Sequence, residues 1–127
     1  MGINMNKLIL VVEDNQDIRH ILTAILVRAN YIVNNADLAT QALTMIQTTS
    51  FDLILLDLMM PGMDGNGFLR MMASYKPEVP IIVVTASPQY LTNPDSPQIK
   101  GIITKPFQTK ELLRVVEGCL ALDTEMV

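Results

Sequence analysis

Short, wholly apolar runs alternate with amphipathic stretches along this chain, and that alternation constrains its fold more than any other feature. Leu8–Val12, Leu53–Leu56 and Pro80–Val84 are too short for helices and rich in β-formers. A run with no polar face reads as a strand covered on both sides. Tyr31–Val33 and Gly101–Thr104 are shorter, weaker strand candidates. Ile18, Ile21, Leu22, Ile25, Leu26 and Ala29 recur at helical spacing, as do Ala39, Ala42, Leu43 and Ile46. A turn at Pro61–Gly65 opens a helix carrying Phe68, Leu69 and Met72 on one side. Leu112, Val116, Cys119 and Leu120 mark a last helix, for which Thr109 is the expected N-cap. Strands separated by helices require crossover connections, which predicts an α/β fold: a doubly wound, five-stranded parallel sheet with helices on both faces. Between Thr85 and Gly101 the expected helix meets Pro88, Pro94 and Pro97, so it is predicted to be shortened or missing.

Composition narrows the function. Half of the 127 residues are apolar and 17% are charged, which suits one packed domain. Nine Lys and Arg stand against 13 Asp and Glu, for a formal charge of −4. That balance argues against a nucleic-acid binder, which works by neutralising phosphates. The unbroken aliphatic runs are five residues or shorter, far below a membrane span. One cysteine makes no internal bridge, and Cys119 reads as a small core hydrophobe. No secretory signal opens the chain, so a cytoplasmic domain is expected.

In an open parallel sheet, ligands gather outside the carboxyl ends of the strands. Glu13 and Asp14 follow the first strand, Asp57 the third, Thr85-Ala86 the fourth and Lys105-Pro106 the fifth. Three crowded carboxylates repel one another unless a cation neutralises them, and hard oxygen ligands suit Mg²⁺. An Asp in such a place can act as a nucleophile and form an acyl phosphate. A Lys ammonium and a hydroxyl or backbone donor would then stabilise the transferring oxygens. Singly, each residue has a bland reading as a turn former or solvated charge; together they do not, because stacking like charges on one edge contributes nothing to a fold.

Val12-Glu13-Asp14-Asn15, the block Asp57 to Gly65, Val84-Thr85-Ala86 and Lys105-Pro106-Phe107 together resemble the receiver domain of bacterial two-component response regulators, in the stand-alone, chemotaxis-regulator manner. The resemblance runs from about Lys7 to Leu122 and treats residues 1–127 as a single receiver domain with no output domain. It implies a flavodoxin-like strand order of 2-1-3-4-5. It also implies that Asp57 is the phosphoacceptor and that Asp14, Glu13, Asp57 and the backbone carbonyl of Met59 hold Mg²⁺. Lys105 would bind the phosphoryl group, through a residue joined to Pro106 by a cis bond. Thr85 would hydrogen-bond a phosphoryl oxygen, and Ala86, Met59 and Met60 would complete the phosphoryl pocket. The implied partners are a histidine kinase or histidine phosphotransfer protein upstream and another protein downstream, with neither nucleic acid nor membrane involved. The chain would catalyse only its own phosphotransfer and dephosphorylation, and so is not expected to be an enzyme with a substrate pool.

Two features depart from the family pattern. Ile102 stands where receivers usually carry Tyr or Phe three residues before the lysine, so no ring is available to swing inward. The span from Thr85 to Lys105 is also shorter than usual, and the deficit falls in the stretch Pro88–Pro97. A second reading therefore stands beside the first: a constitutive protein-interaction module of receiver fold with no phosphate-driven switch. A phosphatase using an aspartyl phosphate fits worse, because Asp57-Leu58-Met59 lacks an Asp-x-Asp pair.

Overall fold

The computed structural model describes residues 7–125. Five strands, β1 (Leu8–Val12), β2 (Ile32–Ala36), β3 (Leu53–Leu56), β4 (Ile81–Thr85) and β5 (Ile99–Thr104), form one sheet in the order β2-β1-β3-β4-β5. All four pairings are parallel. The helices are α1 (Gln16–Arg28), α2 (Ala39–Thr48), α3 (Gly65–Tyr75) and α4 (Thr109–Glu125). Among the described residues, none is long and apolar enough to cross a membrane.

The alternation of side chains along a strand divides the core into two layers. Ile9, Val11, Leu53, Leu55, Ile82 and Val84 face α1 and α4, meeting Leu22, Leu26, Leu112 and Val116. Leu10, Val12, Ile54, Leu56 and Ile81 face the other way, against Ala42 and Ile46 of α2 and Phe68 and Met72 of α3. The fully apolar runs are thus strands buried on both sides, as their composition predicts.

The weaker strands are longer than their apolar residues suggest. β2 extends through Asn34 and Asn35, which pair with Leu10 and Val11. It is an edge strand, where the covering layers are thinner: Asn34 is half-buried and Asn35 exposed, so polar side chains are tolerated while β1 supplies the hydrogen bonds. β5, the opposite edge, begins at Ile99, and its pairing with β4 shifts register between Ile81 and Ile82.

Between β4 and β5 there is only a 3₁₀ turn at Pro88–Tyr90, so the helix is indeed missing from this crossover. Leu91 takes its place as a cover, packing with Leu58 and Val83. Two other expectations need correction. Thr109 lies inside α4: the first turn closes from the Leu112 N–H onto the Gln108 carbonyl, which makes Gln108 the capping position. Cys119 packs against the first core layer but is only half-buried, not a fully enclosed residue.

Candidate functional site

Glu13, Asp57 and Lys105 each stand one step beyond a strand, and the backbone N–H of each closes a last rung onto the neighbouring strand. Glu13 N–H donates to the Ala36 carbonyl at 3.0 Å, Asp57 N–H to Val12 at 3.1 Å and Lys105 N–H to Thr85 at 2.9 Å. The sheet therefore fixes where these side chains start. Asn15 then opens α1 as its N-cap, its side chain accepting from the Ile18 N–H at 2.9 Å.

The segment after Asp57 is folded back tightly. Gly62 has φ +76°, the left-handed region that glycine adopts without strain. Asp64 caps α3 by accepting from the Gly67 N–H at 2.9 Å. Gly65 N–H donates to the Leu58 carbonyl at 2.8 Å. A Cβ at Gly65 would lie 2.6 Å from both the Asp57 carbonyl oxygen and the Leu58 Cα, so only glycine lets α3 start this close to the acceptor strand. Lys105-Pro106 is a cis peptide bond, as the resemblance implies.

Glu13, Asp14 and Asp57 each offer a carboxylate oxygen within 4.8 Å of the others. Glu13 and Asp57 are buried, and Asp14 is exposed. Lys105 Nζ donates to Glu13 Oε1 at 2.6 Å and lies 3.6 Å from Asp57 Oδ2. The second Glu13 oxygen accepts from the Asn15 N–H at 3.1 Å. Burial pushes the Glu13 carboxyl up from 4.5 to about 7, with the Asp57 charge acting in the same direction, while Lys105 and the Asn15 N–H pull against them. Three acids face one ammonium here, and an oxygen-rich group of this kind suits a hard divalent cation.

The other expected residues lie around these. The Met59 N–H reaches Asp57 Oδ1 at 3.4 Å, and the Met59 side chain is 55% exposed. Met60 turns its side chain into the core, so only its backbone is available to the site. Thr85 is buried, and its Oγ1 accepts from the Ser87 N–H at 3.1 Å; Ala86 is exposed beside it. Ile102 is 42% exposed on the outer edge of the sheet.

Two residues escaped the sequence reading. Arg19, on the first turn of α1, donates from Nη1 to the carbonyls of Glu13 at 2.8 Å and Asp14 at 3.3 Å. Asn66, on the first turn of α3, donates from Nδ2 to the Tyr90 carbonyl at 2.8 Å and accepts from the Thr92 N–H at 3.0 Å. The position of Arg19, five and six residues past a pair of acids and on the first turn of the helix they precede, was a usable signal. Nothing local marks Asn66, whose partners are 24 and 26 residues away.

The response regulator receiver domain family model matches residues 9–117. The chain belongs to the response regulator receiver domain family. It is similar to the response regulator receiver protein CpdR of Brucella abortus, with 34% identity over 90% of this chain and 97% of that one. It is 35% identical to the transcriptional regulatory protein ResD of Bacillus subtilis over 88% of its length, but spans only 47% of that longer protein. Among solved structures, response regulator TrrA of Thermotoga maritima, in complex with Mg(2+)-BeF, superposes with a TM-score of 0.81 at 30% identity, covering 89% of this chain and 98% of that one. The receiver domain of the sensor histidine kinase PA1611 from Pseudomonas aeruginosa, with a magnesium ion in its active-site cleft, has a TM-score of 0.81 at 26% identity over 91% and 98% of the two chains.

Proposed function

We propose that this receiver domain takes a phosphoryl group onto Asp57 and signals by binding another protein. The observation that carries the reading is the meeting of three carboxylates within 4.8 Å, with Lys105 between Glu13 and Asp57. An Asp57 carboxylate oxygen attacks phosphorus in a phosphohistidine of a histidine kinase or histidine phosphotransfer protein. The Asp57 O–P bond forms, the P–N bond breaks, and its electron pair stays on the histidine nitrogen. Water attacking phosphorus later releases inorganic phosphate and regenerates the carboxylate. The protein thus turns over only its own modification and is not an enzyme with a substrate pool.

Glu13, Asp14, Asp57 and the Met59 carbonyl would hold Mg²⁺, which supplies charge neutralisation for the incoming phosphoryl oxygens when bound. Magnesium in the two receiver structures just described supports this reading. Lys105 balances charge on the arriving group, and its approach to Asp57 is already half made at 3.6 Å. The Thr85 hydroxyl donates to one phosphoryl oxygen, with the backbone N–H groups of Ala86, Met59 and Met60 available for the rest. Such chemistry fits a cytoplasmic protein.

Incubation with acetyl phosphate, followed by intact mass with and without Mg²⁺, tests this. A single phosphoryl adduct should form only with the divalent ion, and Asp57→Asn should abolish it. An adduct that survives the substitution, or forms equally in chelator, removes Asp57 from the role.

The pinning of the β4–β5 connection by Asn66 favours a second reading, a fixed interaction surface with no phosphate switch. Beryllofluoride with Mg²⁺ separates the two. Amide shifts confined to the site would support the fixed surface; shifts reaching Ser87–Lys100 would support the switch.

A further inference from the structure

Arg19 has no part in the phosphoryl chemistry above, yet its guanidinium sits against the loop that carries two of the three acids. Its Nη1 donates to the Glu13 carbonyl at 2.8 Å and, more weakly, to the Asp14 carbonyl at 3.3 Å. The Asp14 carbonyl and the Asn15 N–H belong to one peptide group, and in a trans peptide they point in opposite directions. A cation holding the carbonyl on one side therefore aims the N–H to the other, where it donates to Glu13 Oε2 at 3.1 Å. Polarisation by the guanidinium also makes that N–H a stronger donor. The remaining oxygen, Glu13 Oε1, is the one that Lys105 holds at 2.6 Å.

We infer that Arg19 is a positioning residue for the site: it locks the two peptide groups that follow Glu13 and Asp14, and through the Asn15 N–H it sets the orientation of the Glu13 carboxylate. This rests on the reading of Glu13, Asp14 and Asp57 as a divalent-ion site. Arg19 touches neither the ion nor the phosphoryl group in that scheme. It acts as an outer partner of the ligands, and the loss of such a partner commonly weakens metal binding by roughly 10- to 100-fold.

The test is an Mg²⁺ titration of the full chain, followed by backbone amide shifts, on wild type, Arg19→Met and Arg19→Gln. Amide exchange at Asn15 is measured in chelator alongside. Both neutral variants should bind Mg²⁺ at least roughly tenfold more weakly. Asn15 exchange should quicken while the exchange of the later turns of α1 stays unchanged. Arg19→Lys, which restores a cation, should recover most of the affinity. A residue serving stability alone would lower the melting temperature and leave the Mg²⁺ affinity and the Asn15 amide as they were; that result overturns the inference. A wild-type chain that gives no Mg²⁺ response overturns the metal-site reading itself, and the inference with it.

Discussion

The ammonium of Lys105 is bound to Glu13, at 2.6 Å, and only leans toward Asp57, at 3.6 Å. The cation is thus stored on the acid that is not expected to be phosphorylated. Its partner is buried and pressed by a second carboxylate, so the pair is a charge balance held near its limit.

Removing the cation should expose that balance. Lys105→Met leaves Glu13 buried without its partner, and the expected loss at pH 8 is roughly 3 kcal/mol, the lower end for a buried pair stripped of one member. At pH 5.5 the loss should be smaller, because Glu13 escapes the penalty by taking up a proton. Urea unfolding of the metal-free protein at both pH values checks this; equal losses would mean that Glu13 does not respond to Lys105.

The metal-free wild type should itself grow less stable as pH rises. Glu13 titrates at about 7 in the fold against 4.5 ordinarily, so between those values the folded state holds more protons than the unfolded state. The contribution is fully present below about 4.5 and is lost as pH passes through about 7. Glu13→Gln should flatten this part of the profile in chelator. A profile that keeps the wild-type slope in the variant would assign it to other groups.

Asp57→Ala should raise the melting temperature without metal, since it removes one of two buried like charges and leaves Lys105 paired with Glu13. The same change should blunt the rise that Mg²⁺ produces in the wild type by binding only the folded state. Thermal melts in chelator and in Mg²⁺ decide the point; a variant that melts no higher and responds to the ion as before contradicts it.

Asn66→Ala should free the β4–β5 connection from α3 at a cost of about 1 kcal/mol, the scale of a partly exposed hydrogen-bond set. Amide exchange at Thr92 should accelerate while Mg²⁺ affinity is unchanged. Thr92 protection equal to wild type would show that Leu91 packing holds the connection alone.

The strands that dominate the core were legible because β1, β3 and β4 are apolar on both faces, and the strand-end acids followed from the topology. Asn34 and Asn35 hid the length of β2, since the faces of this edge strand are only partly covered and need no apolar run. Proline arithmetic showed that a helix was lacking before β5, but it did not show Leu91 plugging the gap. The Lys105–Glu13 pair was out of reach for a different reason: its partners are 92 residues apart, and no local rule chooses between Glu13 and Asp57.

Asn66 also limits how this domain can be rebuilt. Its side chain answers three groups of the β4–β5 connection, the Tyr90 carbonyl and both the N–H and the hydroxyl of Thr92. A chimera that grafts an ordinary four-turn helix into this crossover would strand that amide against a surface offering different partners. A graft that also replaces residue 66 with an apolar side chain would not. The connection and the start of α3 therefore behave as one transplantable part, although 19 residues of chain separate Asn66 from the first loop residue, Ala86.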